Sequence, residues 1–96
     1  MSNELTKVTV KATRKLVYRM EQPVEYQLEG TKCLFRLVDC GWYAEMEMWG
    51  AYVEASYHDF AMDRMVDISG RQYASSPEML AYKLRVEYGV VVDLVQ

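Results

Sequence analysis

His58 and Asp59 form the one adjacent pair in this 96-residue chain that resembles an acid–base couple. Histidine suits general acid–base work because its charge changes near neutral pH, and a carboxylate can orient its ring. This segment is predicted below to be helical, however, and on a helix neighbouring side chains point about 100° apart. The one nucleophile nearby is Ser56, on the same segment. We therefore interpret His58 as a surface histidine and not as a catalytic residue.

The other reactive residue types also lack a catalytic or ligand-holding pattern. Glu45 and Glu47 share a face of one predicted strand, as glycosidase carboxylates can, but that face is predicted to meet solvent. Cys33 and Cys40 lie along one predicted strand about 23 Å apart, beyond the roughly 7 Å that a disulfide spans. Two thiols and one histidine make no metal site, and the glycines form no phosphate-binding array. We expect no catalytic residue, no metal and no cofactor.

The eight tyrosines are the residues that most suggest a ligand. Tyr18 and Tyr26 are predicted side by side on the inner face of a sheet, with Arg14 nearby in the same register. A buried phenol needs a hydrogen-bond partner. One interpretation is a polar-lined pocket between sheet and helices, which would make the protein a small-molecule binder or a small enzyme. The other is that the hydroxyls reach loop backbone or the sheet margin.

A predicted helix near the C-terminal end carries two apolar stripes, although a surface helix needs only one. The stripe expected to dock on the sheet consists of Leu80, Ala81, Leu84 and Tyr88. Met79, Tyr82 and Val86 face largely away from it, so either the C-terminal region or a partner covers them. Tyrosine and methionine are enriched at interface centres, and two-fold dimers are the commonest assembly. We predict a homodimer interface at Met79, Tyr82 and Val86, with Trp49, predicted to face outward, at its rim or in a separate partner site.

A four-stranded antiparallel meander is predicted to position these residues. Apolar and polar residues alternate over residues 7–20, 24–29, 32–39 and 42–49. Turns at Gly30-Thr31 and Cys40-Gly41 would pair Leu28 with Cys33 and would set Arg36 between glutamates. Those glutamates are Glu25 and Glu45, and four methionines fall on core-facing stripes: Met20, Met46, Met48 and Met65.

Two helices and a last strand complete the predicted α+β fold. Residues 53–67 have an apolar stripe at helical spacing, although a fifth strand over residues 52–58 is the alternative. Ser76 as N-cap, Pro77 in the first turn and Gly89 at the end predict a helix over residues 77–88. Residues 90–95 form an apolar strand that we expect beside residues 8–12, because the first strand begins well before its partner.

Length and charge predict a single globular domain over residues 1–96. Residues 1–36 carry seven basic and four acidic side chains, yet most of the basic ones are predicted opposite glutamates, which argues against nucleic-acid binding.

With no apolar run of about 20 residues and no signal pattern, we expect a cytoplasmic protein without membrane contact. The predicted function is a small non-enzymatic binding protein, such as an adaptor, inhibitor or regulatory subunit, that acts through protein–protein contacts.

Overall fold

A computed structural model describes residues 6–11 and 19–95 as an α+β fold with a mostly antiparallel sheet and one helix. The strands before the helix are β1 (Thr6–Lys11), β2 (Val24–Leu28), β3 (Thr31–Tyr43), β4 (Met48–Asp59), β5 (Arg64–Asp67) and β6 (Gly70–Ala74). The helix α1 (Pro77–Tyr88) and the strand β7 (Val90–Val95) follow.

The long antiparallel ribbon of β3 and β4 is the centre of the fold, with β2 on the free side of β3. The outer edge of β4 is divided: β6 pairs with its first half and β5 with its second half. Between them Ile68 N–H donates to the Ala55 carbonyl at 2.8 Å, and Ala55 N–H donates to the Ser69 hydroxyl at 3.1 Å. These bonds make β5 and β6 one interrupted fourth strand.

The first hairpin turn differs from the prediction by its position. Glu29 and Gly30 both have positive φ, at 53° and 82°, as the two central residues of a type I′ turn must. Leu28 therefore lies opposite Thr31 instead of Cys33. The shift equals two residues, so the predicted faces are kept while the predicted cross-strand partners are wrong.

The predicted turn at Cys40-Gly41 is also wrong, because β3 continues through these residues to Tyr43. The turn lies at residues 44–47, where Met46 N–H donates to the Tyr43 carbonyl at 3.1 Å and Glu47 has a φ of 51°. A bulge between Leu37 and Asp39 shifts the alternation of inward and outward side chains along β3 by one residue. The inner face of β3 therefore carries odd-numbered residues before the bulge and even-numbered residues after it: Cys33, Phe35, Leu37, Cys40 and Trp42.

The predicted helix over residues 53–67 is wrong in its type of secondary structure. Residues 48–59 form strand β4, so the alternative of a strand over residues 52–58 holds, as part of a longer strand. The alternation explains the result, since Val53 and Ala55 are buried while Glu54 is exposed. Arg36 consequently lies opposite Glu54, and not between Glu25 and Glu45.

The predicted helix over residues 77–88 is confirmed, with both of its ends. The Ser76 hydroxyl accepts a hydrogen bond from Met79 N–H at 3.1 Å, and Gly89 closes the helix with a φ of 70°. Leu80, Leu84 and Tyr88 are buried. Strand β7 then pairs with β1 in parallel, from Thr6 opposite Val90 to Lys11 opposite Val95, which confirms the predicted neighbours. Among the described residues, however, these two strands form a sheet of their own and do not extend the sheet of β2 to β6 as predicted. Of the predicted first strand over residues 7–20, residues 12–18 lie outside the described residues.

The core lies between α1 and the inner face of the sheet. The Phe35 and Tyr88 rings meet edge to face with centroids 5.7 Å apart. Cys33 and Cys40 are buried free thiols, in agreement with the prediction that they do not pair. Met20 is buried as predicted, whereas Met46 and Met65 are exposed and Met48 is half-buried. The misplaced turn at Cys40-Gly41 had aimed Met46 and Met48 inward, and the helix wrongly predicted over residues 53–67 had aimed Met65 inward.

Candidate functional site

The helix stripe, defined as Met79, Tyr82 and Val86, lies on the open side of α1. These side chains are 47, 62 and 66 % exposed, respectively. The opposite side of α1 holds Leu80 and Leu84, both fully buried. The described residues, which include the C-terminal strand up to Val95, therefore leave the stripe uncovered.

Trp49 does not lie near this stripe on the surface. It is only 5 % exposed and packs edge to face on Trp42, with ring centroids 5.9 Å apart. The predicted outward placement of Trp49 is wrong, because the bulge in β3 and the turn at residues 44–47 put its side chain on the inner face. It cannot meet a partner at the rim of the helix stripe.

Of the predicted tyrosine pocket, only Tyr26 is among the described residues; Arg14 and Tyr18 lie outside them. Tyr26 is buried on the inner face, as predicted, and its hydroxyl donates to the Tyr88 carbonyl at 2.5 Å. Burial, and then the neighbouring Cys33 thiol, raise the pKa of Tyr26. The Tyr26 hydroxyl therefore stays protonated, and the backbone carbonyl at the end of α1 satisfies it, as expected for a core tyrosine.

His58 has a different carboxylate partner from the one next to it in sequence. Its Nε2 lies 3.0 Å from Asp63 Oδ1 across the turn between β4 and β5, and its ring packs against Phe60 at 4.6 Å. Asp59 instead accepts hydrogen bonds from Ala61 and Met62 N–H. These contacts order the turn and leave Phe60 and Met62 exposed at its tip.

The outer face of the sheet carries a polar cleft of about 400 Å³. Its charged groups are engaged with one another: Arg36 forms an ion pair with Glu54, and its Nη1 donates to the Met20 carbonyl at 3.1 Å. Asp67 accepts from the Ser69 hydroxyl and Ser69 N–H, which lowers the pKa of its carboxyl. The remaining lining residues are Pro23, Leu34, Ala55, Ser56 and Met65.

A second concavity, which we name the tyrosine groove, lies at the other end of the outer face. It has a volume of about 460 Å³ and is lined by Tyr43, Ala44, Glu45, Met46, Arg71 and Tyr73. Sequence reasoning missed it, because Tyr43 and Tyr73 meet only once β6 pairs with β4. Glu45, considered above as a strand carboxylate, is here part of the turn at residues 44–47.

Nowhere in the described part of the chain do three His, Cys, Asp or Glu side chains come together as metal ligands would. Of the same residues, none belongs to a helix with the length and apolarity that a membrane span requires. Comparison of the chain with protein-family models, with curated proteins and with solved structures found no match.

Proposed function

We propose that this chain is a non-enzymatic binding protein that acts through protein–protein contacts and that a second copy of the chain occupies the helix stripe. The observation that carries the proposal is the exposure of Met79, Tyr82 and Val86, at 47, 62 and 66 %. Three large apolar side chains in one row form a patch that monomers rarely leave in water.

The stripe is held rigidly, which favours binding. Helix α1 is anchored by its fully buried Leu80 and Leu84 and is capped at both ends by Ser76 and Gly89. The backbone of α1 therefore loses little conformational freedom when a partner covers the stripe. Such a loss of freedom is one of the main free-energy costs of association. Tyr82 adds a large ring with few rotatable bonds.

The charges beside the stripe favour a second copy of α1 in antiparallel orientation. Glu78 and Arg85 are seven residues apart, so they lie on the same side of the stripe near opposite ends of the helix. A two-fold axis across the middle of the stripe brings Glu78 of each copy next to Arg85 of the other. On the other side of the stripe Lys83 is held by its own chain, because its Nζ donates to the Tyr73 carbonyl, so the pairing of Glu78 with Arg85 carries the argument for this orientation.

A non-enzymatic role is supported by the contacts of the acid–base candidates. His58 is bound to Asp63 at the tip of a hairpin, and Asp59 orders the turn that precedes that contact. The inner-face thiols are buried, and burial raises the pKa of Cys40 to about 12, so this thiol is a poor nucleophile at neutral pH.

Sedimentation velocity over a concentration series tests the proposal. One helix pair is a small interface, and interfaces below about 1,200 Å² are weak, so association should appear at micromolar to millimolar concentration. Tyr82→Glu should give a folded monomer, and Tyr82→Phe should associate like the wild type. A wild-type chain that remains monomeric throughout the series would refute the proposal.

A charge exchange tests the antiparallel geometry separately. Arg85→Glu alone and Glu78→Arg alone should each weaken association. Each variant brings like charges together at the two symmetry-related places where the copies meet. The double variant should recover it, since the opposite charges are restored with exchanged positions. Circular dichroism checks that α1 is retained, because both substitutions oppose the helix dipole by roughly 0.3–1 kcal/mol each.

A further inference from the structure

The tyrosine groove is built around a glycine in the central ribbon. Tyr43 on β3 and Tyr73 on β6 flank Gly50 on β4, and their rings meet edge to face with centroids 5.8 Å apart. A Cβ atom at Gly50 would lie 2.8 Å from Tyr73 Cδ1 and 3.1 Å from Tyr43 Cδ2. The absence of a side chain therefore lets both rings lie close to the strand and form one aromatic wall.

Arg71 supplies the groove with a positive charge. Its guanidinium lies 4.9 Å from the centre of the Tyr52 ring, and among the described residues no carboxylate forms an ion pair with it. Arg36 on the same face differs, because it is already bound to Glu54 and to the Met20 carbonyl. The Arg71 guanidinium keeps a planar set of donors that matches a carboxylate in two-point contact.

The turn at residues 44–47 gives the groove its opposite wall. Met46 is 48 % exposed there, and its thioether is a favourable neighbour for an aromatic ring. Glu45 lines the same groove and adds a negative charge. The volume of about 460 Å³ falls in the range of small-molecule sites.

We infer that the tyrosine groove is a binding site for a small planar aromatic monocarboxylate. The carboxylate binds Arg71, and the ring packs between the wall of Tyr43 and Tyr73 and the side chain of Met46. This site lies on the face of the sheet opposite α1 and does not depend on the helix stripe.

Charge selects a monocarboxylate over a phosphate ester or nucleic acid. Among the residues that the structure describes, Arg71 is the only basic one that lines the groove, and Glu45 lies in it as well. Residues 37–96 carry ten acidic side chains against four basic ones, so the surrounding field repels a multiply charged anion. A single carboxylate satisfies Arg71 with the least repulsion.

Titration of ¹⁵N-labelled protein with sodium benzoate, followed by amide chemical shifts, tests the inference. Benzoate should shift the amides of residues 43–46, 50 and 71–73, with a Kd of about 1 mM, as expected for so small a ligand. Benzamide, which has the same shape without the charge, should bind at least tenfold more weakly. Equal binding of benzamide, or no shift of these amides at 20 mM benzoate, would overturn the inference.

Two substitutions locate the site. Arg71→Gln should weaken benzoate binding at least tenfold. Arg64→Gln, which changes an arginine that is also exposed but lies on β5 outside the groove, should leave it unchanged. Phenyl phosphate should bind more weakly than benzoate, and tighter binding would instead assign the groove to phosphate esters. The titration is repeated on Tyr82→Glu, where unchanged benzoate binding separates this site from self-association.

Discussion

On its inner face the sheet meets α1 and carries the buried core, whereas on its outer face the same strands carry ion pairs, half-buried tyrosines and two open clefts. In the described part of the chain no polar or charged residue is buried, and the inner face contributes stability mainly through apolar contacts, together with the buried hydrogen bond from the Tyr26 hydroxyl to the Tyr88 carbonyl. Side chains on the outer face such as Leu34, Arg36 and Glu54 are half-buried or exposed, so their substitution should cost less folding energy than substitution in the core. Positions for ligand contacts are therefore available there without loss of the core.

The neighbours Phe35 and Leu34 on β3 give the largest expected difference between the faces. Phe35 is fully buried against Tyr88, whereas Leu34 is half-buried on the outer face. Phe35→Ala should lower the free energy of unfolding by about 3–5 kcal/mol, because it leaves a cavity. Leu34→Ala should cost about 1 kcal/mol or less. Urea unfolding of both variants measures the two values, and similar midpoints would contradict the assignment of faces.

Gly50 is the place where the outer face is as crowded as a core. Because a Cβ atom there would come within 2.8 Å of the Tyr73 ring, Gly50→Ala should destabilise the fold by about 1–3 kcal/mol. Gly70→Ala is the matched control, since its Cβ atom would meet only the Tyr88 hydroxyl, at 3.6 Å. Thermal melts that rank the two variants equally would show that the tyrosine rings move aside freely.

Alkaline pH should act on the inner face through Cys40. Burial, with a smaller contribution from Asp39, raises the pKa of Cys40 from its ordinary 9.0 to about 12. Between these values the unfolded thiol loses its proton while the folded thiol keeps it, so stability is full below pH 9 and falls as pH rises toward 12. In this pH range one such group lowers the free energy of unfolding by roughly 1.4 kcal/mol per pH unit.

Cys40→Ala isolates this effect from the other buried groups. Burial also raises the pKa of Cys33, Tyr26 and Tyr88. In the wild type these three groups therefore add to the loss of stability above pH 9 that Cys40 causes. Urea unfolding at pH 8, 9.5 and 10.5 should give the variant a shallower decline than the wild type. Parallel declines would mean that Cys40 is accessible to water in the folded chain.

Arg36 should give the smallest effect, because its ion pair with Glu54 is partly solvated. Arg36→Glu sets two carboxylates opposite each other and should be about 1 kcal/mol less stable than Arg36→Gln. Adding Glu54→Arg to Arg36→Glu should restore most of that difference. The comparison also tests the register, since pairing with Glu25 and Glu45 would leave the Glu54 substitution without such an effect.

The sequence was sufficient for elements whose boundaries depend on local chemistry. Ser76, Pro77 and Gly89 determine the ends of α1 through hydrogen bonds and φ angles that each residue type favours. The placement of β7 beside β1 followed from the need to pair backbone groups. The position of Tyr82 away from the docking stripe followed from helical spacing, whereas that spacing left open whether the C-terminal region covers it.

The turns were not predictable in the same way. Glu47 adopts a positive φ of 51° without being glycine, while Gly41 and Gly50 lie opposite each other within the ribbon. The bulge at Val38 then reverses the parity of β3, which alternation alone cannot reveal. Asp59 was a usable signal, because an aspartate that accepts from the next backbone amides begins a turn. The tyrosine groove depends on all of these features and was missed with them.

The parallel pairing of Thr6 with Val90 also determines the order in which the chain can fold. The β2–β3 and β3–β4 hairpins close short loops, whereas β1 and β7 must meet across almost the whole sequence, and loop-closure entropy increases with length. Contacts of long sequence separation slow folding. Destabilising changes at Val92 should therefore mainly speed unfolding, while those at Leu37 should slow refolding, which stopped-flow measurements can separate. The segment that joins the two ends of the fold would then be the last to form and the first to open.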